Sequence, residues 1–343
     1  MTYKVTSSER TAASASEMET KAMLHLLCED DDCNIRGFAI DFFNDVTGMD
    51  NNAFRLYDVQ SKGEDAGPAA LGEELVTLFK NYVSEFKDYF VRQILFVRRV
   101  TSSVLNNPEL VDFSYADMKD ESKIKLRTAL IATCNSKTYI ADEDITDENI
   151  DAFLENVRMV IAKAEKADYI KPLIRTTKPL GTTDHDLRAI FGEIRKKQLG
   201  VKSSSKVEGV EINYPHEAYN YGRVISTSDI ELLALSRVIN KNPLEAGVPA
   251  PFVSIYENFE EDIADNMLNN CQLALAKQMF TKREASAFWN LLGDVVSMIQ
   301  NMPNAGVDEI YRNLSHETLT ACGELDALAH QYFIAIVKEG LGK

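Results

Sequence analysis

The stretch from Gly37 to Lys62 constrains the fold more than any other part of the chain. Gly37 to Val46 and Phe54 to Lys62 both read as strands, and the run Thr47, Gly48, Met49, Asp50, Asn51, Asn52 between them is turn-forming, which predicts a hairpin. Alternate side chains of a strand share a face. In the second run Phe54, Leu56, Asp58, Gln60 and Lys62 therefore fall on one side, and Arg55, Tyr57, Val59 and Ser61 on the other. A face that starts apolar and ends in a carboxylate, an amide and an amine is costly to bury unless those groups are paired or hold a metal. The first run repeats the idea, with Asp41, Phe43 and Asp45 on one face and Asp45 nearest the turn.

Asp45 brought opposite Gln60 and Lys62 makes a cluster of oxygen ligands beside an ammonium group. Hard divalent ions such as Mg²⁺ or Mn²⁺ prefer carboxylate, amide carbonyl and water, so this set suits either. The metal activates a bound water, and Lys62 orients or deprotonates that water and offsets charge in the transition state. Asp58 has two readings, a further ligand or a salt bridge to Lys62 or Arg55.

The segments around this hairpin predict an α/β order of helix, hairpin, helix, strand. The first helix starts at Ser16 and runs through Ala22, Met23, Leu26 and Leu27. Leu71, Leu75, Leu78, Phe79, Tyr82 and Phe86 recur at helical spacing, and Tyr89 to Val100 contains an apolar run suited to a buried strand. Helical patterns follow over Tyr115 to Thr133, Asp147 to Lys166 and Asp184 to Leu199. Ser203-Ser204-Ser205 marks a boundary between a first domain, 1–205, and a helical second domain, 206–343. Val207 to Tyr221 reads as short and irregular. Beyond it the helices are Ser228 to Ile239, Glu257 to Met279, Lys282 to Met302 and His316 to Leu341.

The acid at Asp41, three intervening residues, Asp45 and then Gln60-Ser61-Lys62 resemble the PD-(D/E)xK nuclease superfamily. More narrowly they resemble the effector nucleases of bacterial anti-phage systems such as CBASS and Lamassu. Gln60 stands where the usual member has an acid, and Asp41 where related proteins often carry Glu. The resemblance covers Ser14 to Val97. It implies a restriction-endonuclease-like core and metal-dependent cleavage of double-stranded DNA, restrained until an associated sensor signals infection. Lys62, Gln60 and Asp45 are then the catalytic residues, and Asp45, Gln60, Asp41 and Glu19 the metal-holding set. Many relatives draw a Glu from the first helix. Glu19 fits that role better than Glu17 because positions 19, 22, 23 and 26 share the apolar stripe. Its alternative use is a capping box with Ser16.

A net charge of −16 argues against passive DNA binding, since affinity for the phosphate backbone comes largely from Lys and Arg. The charge is uneven. Lys163 to Lys206 holds 11 Lys/Arg against 5 Asp/Glu, whereas from Lys206 to the end there are 10 against 19. The basic band reads either as a phosphate contact surface or as a solvated linker with a charged helix. Five scattered cysteines, Cys28, Cys33, Cys134, Cys271 and Cys322, indicate neither a disulfide framework nor a zinc site. Without an apolar run near the length of a membrane span and without a secretion signal, the expectation is a cytoplasmic protein that meets no membrane. No phosphate-binding loop is present, so an ATP-using sensor, such as an ATPase of the structural-maintenance-of-chromosomes type, is a separate subunit. Activation by that partner or by self-assembly into a homo-oligomer is the expected regime. The competing reading is a non-catalytic interaction subunit with a degenerate nuclease fold, docking through its acidic helical half.

Overall fold

The computed structural model describes residues 2–6, 13–29, 35–176, 178–281 and 285–342, apart from the side chains of 13–16 and 29. The element order begins β1 (Tyr3–Lys4), α1 (Ala13–Glu29), β2 (Gly37–Ile40), β3 (Val46–Met49), β4 (Leu56–Ala66), α2 (Pro68–Glu74), α3 (Val76–Val83) and β5 (Phe90–Val100). It continues with β6 (Asp112–Ser114), α4 (Asp120–Asn135), α5 (Asp147–Asn156), β7 (Arg158–Ile161), α6 (Ala167–Ile170), α7 (Asp184–Lys202), β8 (Glu211–Ile212) and β9 (Val224–Ser226). The remainder is helical: α8 (Thr227–Val238), α9 (Val253–Tyr256), α10 (Glu261–Phe280), α11 (Ala285–Asn301), α12 (Val307–Asn313), α13 (His316–Ala321) and α14 (Ala327–Leu341).

The chain forms two compact units, one of Met1–Tyr169 with Phe191–Thr227, the other of Ile170–Ile190 with Ser228–Lys343. The first is built on a seven-stranded mixed sheet in the order β6-β7-β5-β4-β3-β2-β9, with β1 and β8 as a separate pair. Strands β2, β3 and β4 run antiparallel in sequence, and β5 lies parallel to β4. A parallel neighbour needs a crossover, and α2 with α3 supplies it. Leu95 and Val97 of β5 pack with Leu71, Leu78, Phe79, Leu126 and Phe153 from α2 to α5 in one core. Across the sheet α1 lies against β3, β4 and β5. Mixed α/β architecture with helices gathered toward the C-terminal end agrees with the sequence reading.

Several local expectations differ. The predicted hairpin is three strands, because Asp41 to Asp45 bend instead of extending. Asp41 takes a positive φ of 50° and its N–H bonds the Asp45 carbonyl at 3.0 Å, closing the bend. Only half of the run read as a turn is one: Thr47 to Met49 belong to β3, and the chain turns at Asn51 and Asn52. Gly48, a turn signal in the sequence, lies in that strand, where an added Cβ would come within 2.8 Å of Ile35 Cδ1. Asp147 to Lys166 is not one helix, since α5 ends at Asn156 and the apolar Met159 and Val160 belong to β7, which pairs with β5. His316 to Leu341 breaks into two helices. Residues 206–227 do not open the helical unit. They return β8 and β9 to the first one, where Val224 to Ser226 pair with β2.

Helix α1 already begins at Ala13, so Ser16 is inside the helix and not its cap. The side chain of Ser16, like Asp30 to Cys33, lies outside the described residues. In the second unit α14 packs on α10, α11 and α12. Gly340 of α14 comes so close to the Ile239 backbone that a Cβ would overlap the Ile239 carbonyl oxygen. Among the described residues, no helix is long and apolar enough to cross a membrane.

Candidate functional site

Strand β4 carries polar groups on both faces, and the period of two decides which partners each one meets. Ser61 points toward α1. Its N–H and its hydroxyl both donate to Asp45 Oδ2, at 2.8 and 2.7 Å. Around Asp45 gather Glu19 from α1, Asp41 from the other end of the bend, and Lys202 from the last turn of α7. Glu19, only 2% exposed, accepts from Gln198 Nε2 at 3.0 Å and from Lys202 Nζ at 3.1 Å. Asp41 Oδ2 lies 3.8 Å from Lys202 Nζ and 3.5 Å from Arg223 Nη1. Arg223 is buried, and its guanidinium also donates through Nε and Nη2 to the Ser205 carbonyl. Pairing of β2 with β9 brings Arg223 beside Asp41, and the Ile40 N–H bonds the Arg223 carbonyl at 2.8 Å.

Three carboxylates thus gather around Lys202, with Arg223 as a second cation on Asp41, in a largely buried setting. Burial, then the negative charge of Glu19, pushes the Asp45 carboxyl up to about 7 against the opposing Ser61 hydrogen bonds and the Lys202 charge. Glu19 is raised for the same first reason, burial, with Lys202 opposing it. Burial alone would lower Lys202, yet the charges of Glu19 and Asp41 hold its ammonium above the ordinary lysine value.

Gln60 and Lys62 lie on the other face. Val46 pairs with Val59, so continued pairing would set Asp45 opposite Gln60 and on its face; Asp45 instead belongs to the bend before β3, and its carboxylate turns to Ser61. Lys62 Nζ sits 2.6 Å from Glu74 Oε1 of α2, and the Glu74 charge and hydrogen bond raise its pKa. Gln60 accepts from Thr77 Oγ1 at 3.0 Å and donates to Glu74 Oε2 at 3.5 Å. Of the residues singled out in the sequence, the structure brings Glu19, Asp41 and Asp45 together and leaves Gln60 and Lys62 with α2 and α3.

Asp58 is neither near a candidate ion nor in a salt bridge with Lys62 or Arg55. It is fully buried and accepts from Thr47 Oγ1 at 2.8 Å, Asn81 Nδ2 at 2.6 Å and Asn44 Nδ2 at 3.3 Å. Next to it, Lys80 Nζ donates to Tyr3 Oη at 2.6 Å and Tyr3 Oη to Asn81 Oδ1 at 2.7 Å. Glu17, the less favoured helix candidate, is partly exposed and ion-paired with Lys21 and Lys166.

Sequence reading missed Lys202, Gln198, Arg223, Ser61 and Glu74. Lys202 was inside the basic band between residues 163 and 206, so a charge signal existed, but not its address; Arg223 stands alone in the sequence and gave none. Among the described residues, no three His, Cys, Asp or Glu side chains are arranged so as to hold a metal ion. The cation that joins Glu19 to Asp41 is the Lys202 ammonium. Compared with protein-family models, with curated proteins and with solved structures, the chain matches none.

Proposed function

We propose that this chain is a metal-dependent endonuclease that cuts double-stranded DNA. The observation that carries the reading is the convergence of Glu19, Asp41 and Asp45 on the Lys202 ammonium at the start of β3, beside Ser61 of β4. The order of α1, three antiparallel strands, a crossover of two helices and a parallel strand fits the restriction-endonuclease-like core that the sequence motif implies.

Carboxylate oxygens are the donor type a hard divalent ion takes, although Lys202 and Arg223 already face these acids and it is burial, before the charge of Glu19, that raises Asp45. As they stand the three acids form no metal-holding group; with the Lys202 ammonium displaced from between Glu19 and Asp41 they would hold Mg²⁺ or Mn²⁺, which would supply an activated water and shield the phosphate oxygens. The chain's own groups do the rest. Ser61 fixes the Asp45 carboxylate through two hydrogen bonds, Arg223 orients Asp41, and Gln198 orients Glu19. Lys202 is the ammonium closest to these acids and the group placed to offset charge on a phosphate. The sequence motif gives that role to Lys62, whereas the geometry favours Lys202.

Net charge of −16 supports a nuclease that waits for a partner or for self-assembly to deliver DNA, as an effector of an anti-phage or anti-plasmid complex does. A second reading, an interaction subunit with a degenerate site, is favoured by one observation: Lys62 is neutralised by Glu74. The test is plasmid cleavage in Mg²⁺ or Mn²⁺, by the chain alone and with the products of neighbouring genes. Wild type is compared with Asp45→Ala, Lys62→Ala and Lys202→Ala. The proposal expects cleavage that Asp45→Ala abolishes, and loss with Lys202→Ala but not Lys62→Ala places the catalytic ammonium on α7. Cleavage that survives Asp45→Ala removes this site from consideration, and no cleavage in any assembly supports the interaction subunit.

A further inference from the structure

Beside the carboxylates opens a cavity of about 570 Å³ lined by Asp41, Leu199, Lys202, Ser203, Ser204, Ser205, Lys206 and Arg223. Three of these side chains are cationic and one is anionic, the reverse of the balance in the acidic cluster it adjoins. Lys202 and Arg223 are engaged with Glu19 and Asp41, but Lys206 is exposed and has no ion pair or hydrogen bond from its ammonium among the described residues.

A cavity at the C-terminal end of a helix normally disfavours an anion, because the last carbonyls carry partial negative charge. Here the serines answer those carbonyls. Ser203 Oγ donates to the Leu199 and Gly200 carbonyls at 3.0 Å each, and Ser204 Oγ to the Val201 carbonyl at 2.8 Å. Ser205 Oγ donates to the Tyr221 carbonyl at 2.6 Å, and Arg223 covers the Ser205 carbonyl. With its carbonyls satisfied, the turn presents an excess of positive charge.

We infer that this cavity, through Lys206, seats a backbone phosphate of a DNA duplex next to the one cut at Glu19, Asp41 and Asp45. Its place rests on the nuclease reading, because Asp41 and Lys202 border both the cavity and the carboxylates. The charge argument stands without catalysis. It gives the low-complexity serine run a use beyond that of a boundary, as the turn that carries Lys206 from α7 toward the acidic centre.

The experiment is binding of a short fluorescein-labelled DNA duplex in EDTA across a range of salt, by the full chain alone and with the products of neighbouring genes, comparing wild type with Lys206→Glu and Lys196→Glu. Lys196 is an exposed lysine on α7 outside the cavity, so its reversal changes the overall charge equally. Loss of one phosphate contact should lower the slope of log affinity against log salt by about 1 and weaken binding about tenfold for Lys206→Glu. Lys196→Glu should stay within about twofold of wild type, bulk charge on a screened surface having little reach. Equal losses in the two variants, or no binding by wild type at low salt, overturn the inference. Lys206-dependent binding here, together with no plasmid cleavage in Mg²⁺ or Mn²⁺ in any assembly, leaves the cavity standing and removes the nuclease. Cleavage with Lys206-independent binding does the opposite.

Discussion

Asp58 is a carboxylate with no exposure to solvent, kept in place by donors and not by a charge partner in contact with it. Thr47, Asn81 and Asn44 all donate to its two oxygens, and burial still raises its pKa. Asp58→Asn keeps the shape but turns an amide NH₂ toward at least one of these donors. The fold should lose about 1–3 kcal/mol, the usual cost of an unmet buried polar group. Urea unfolding measures it, and an unchanged midpoint would show that the network does not hold the strand. Lys80 in the same network is pushed down to about 8 by burial, with the Asp58 charge opposing. In the unfolded chain a lysine titrates near about 10.4. A depressed folded value means that stability from this group is complete above the unfolded value and lost as pH falls through the folded one. Wild type should therefore gain on Lys80→Met between roughly pH 7 and pH 10, and parallel pH profiles for the two proteins would count against a buried Lys80.

At the scale of elements, contact between α2 and α4 positions the face of the sheet that holds Gln60 and Lys62. Gly72 makes the contact possible, since a Cβ there would come within 2.2 Å of the Leu126 carbonyl oxygen. Gly72→Ala should cost about 1–3 kcal/mol by forcing the two helices apart, despite the better helix propensity of Ala. A thermal melt equal to or above wild type would contradict this packing. The bend from Asp41 to Asp45 is the other decisive element. The alternating pattern read it as extended strand, because the closing hydrogen bond and the positive φ at Asp41 belong to no period in the sequence. The long periodic helices α1, α7, α10 and α11 were legible because apolar spacing over several turns is a strong signal. Strand β7, at four residues, was absorbed into a helical pattern, because a short apolar run fits either period.

At the scale of the molecule, the first unit is completed by chain that follows the serine run. Val224 to Ser226 form the edge strand against β2, and Arg223 meets Asp41. A fragment ending at Ser205 lacks both, whereas one ending at Thr227 keeps them. The shorter fragment should unfold at lower denaturant and with a smaller m-value, as a protein whose sheet has lost an edge and whose buried Asp41 has lost its partner. Coincident unfolding curves for the two fragments would mean that β9 adds nothing to the core.

The sequence by itself determined that an α/β core is followed by helices and that Glu19 lies on the buried stripe of the first helix, whereas it read Asp45 as part of a continuous strand. Those properties are local, set by side-chain period and by the turn chemistry of neighbouring residues. Only the tertiary structure decided which charges meet. Lys202 is 183 residues from Glu19, and Arg223 is 182 from Asp41. Lys62 was adjacent in sequence to Ser61, the residue that holds Asp45, yet alternation along β4 sent its ammonium to Glu74. A strand's period fixes that neighbours face apart; which face is occupied by acids depends on helices that arrive from elsewhere in the chain.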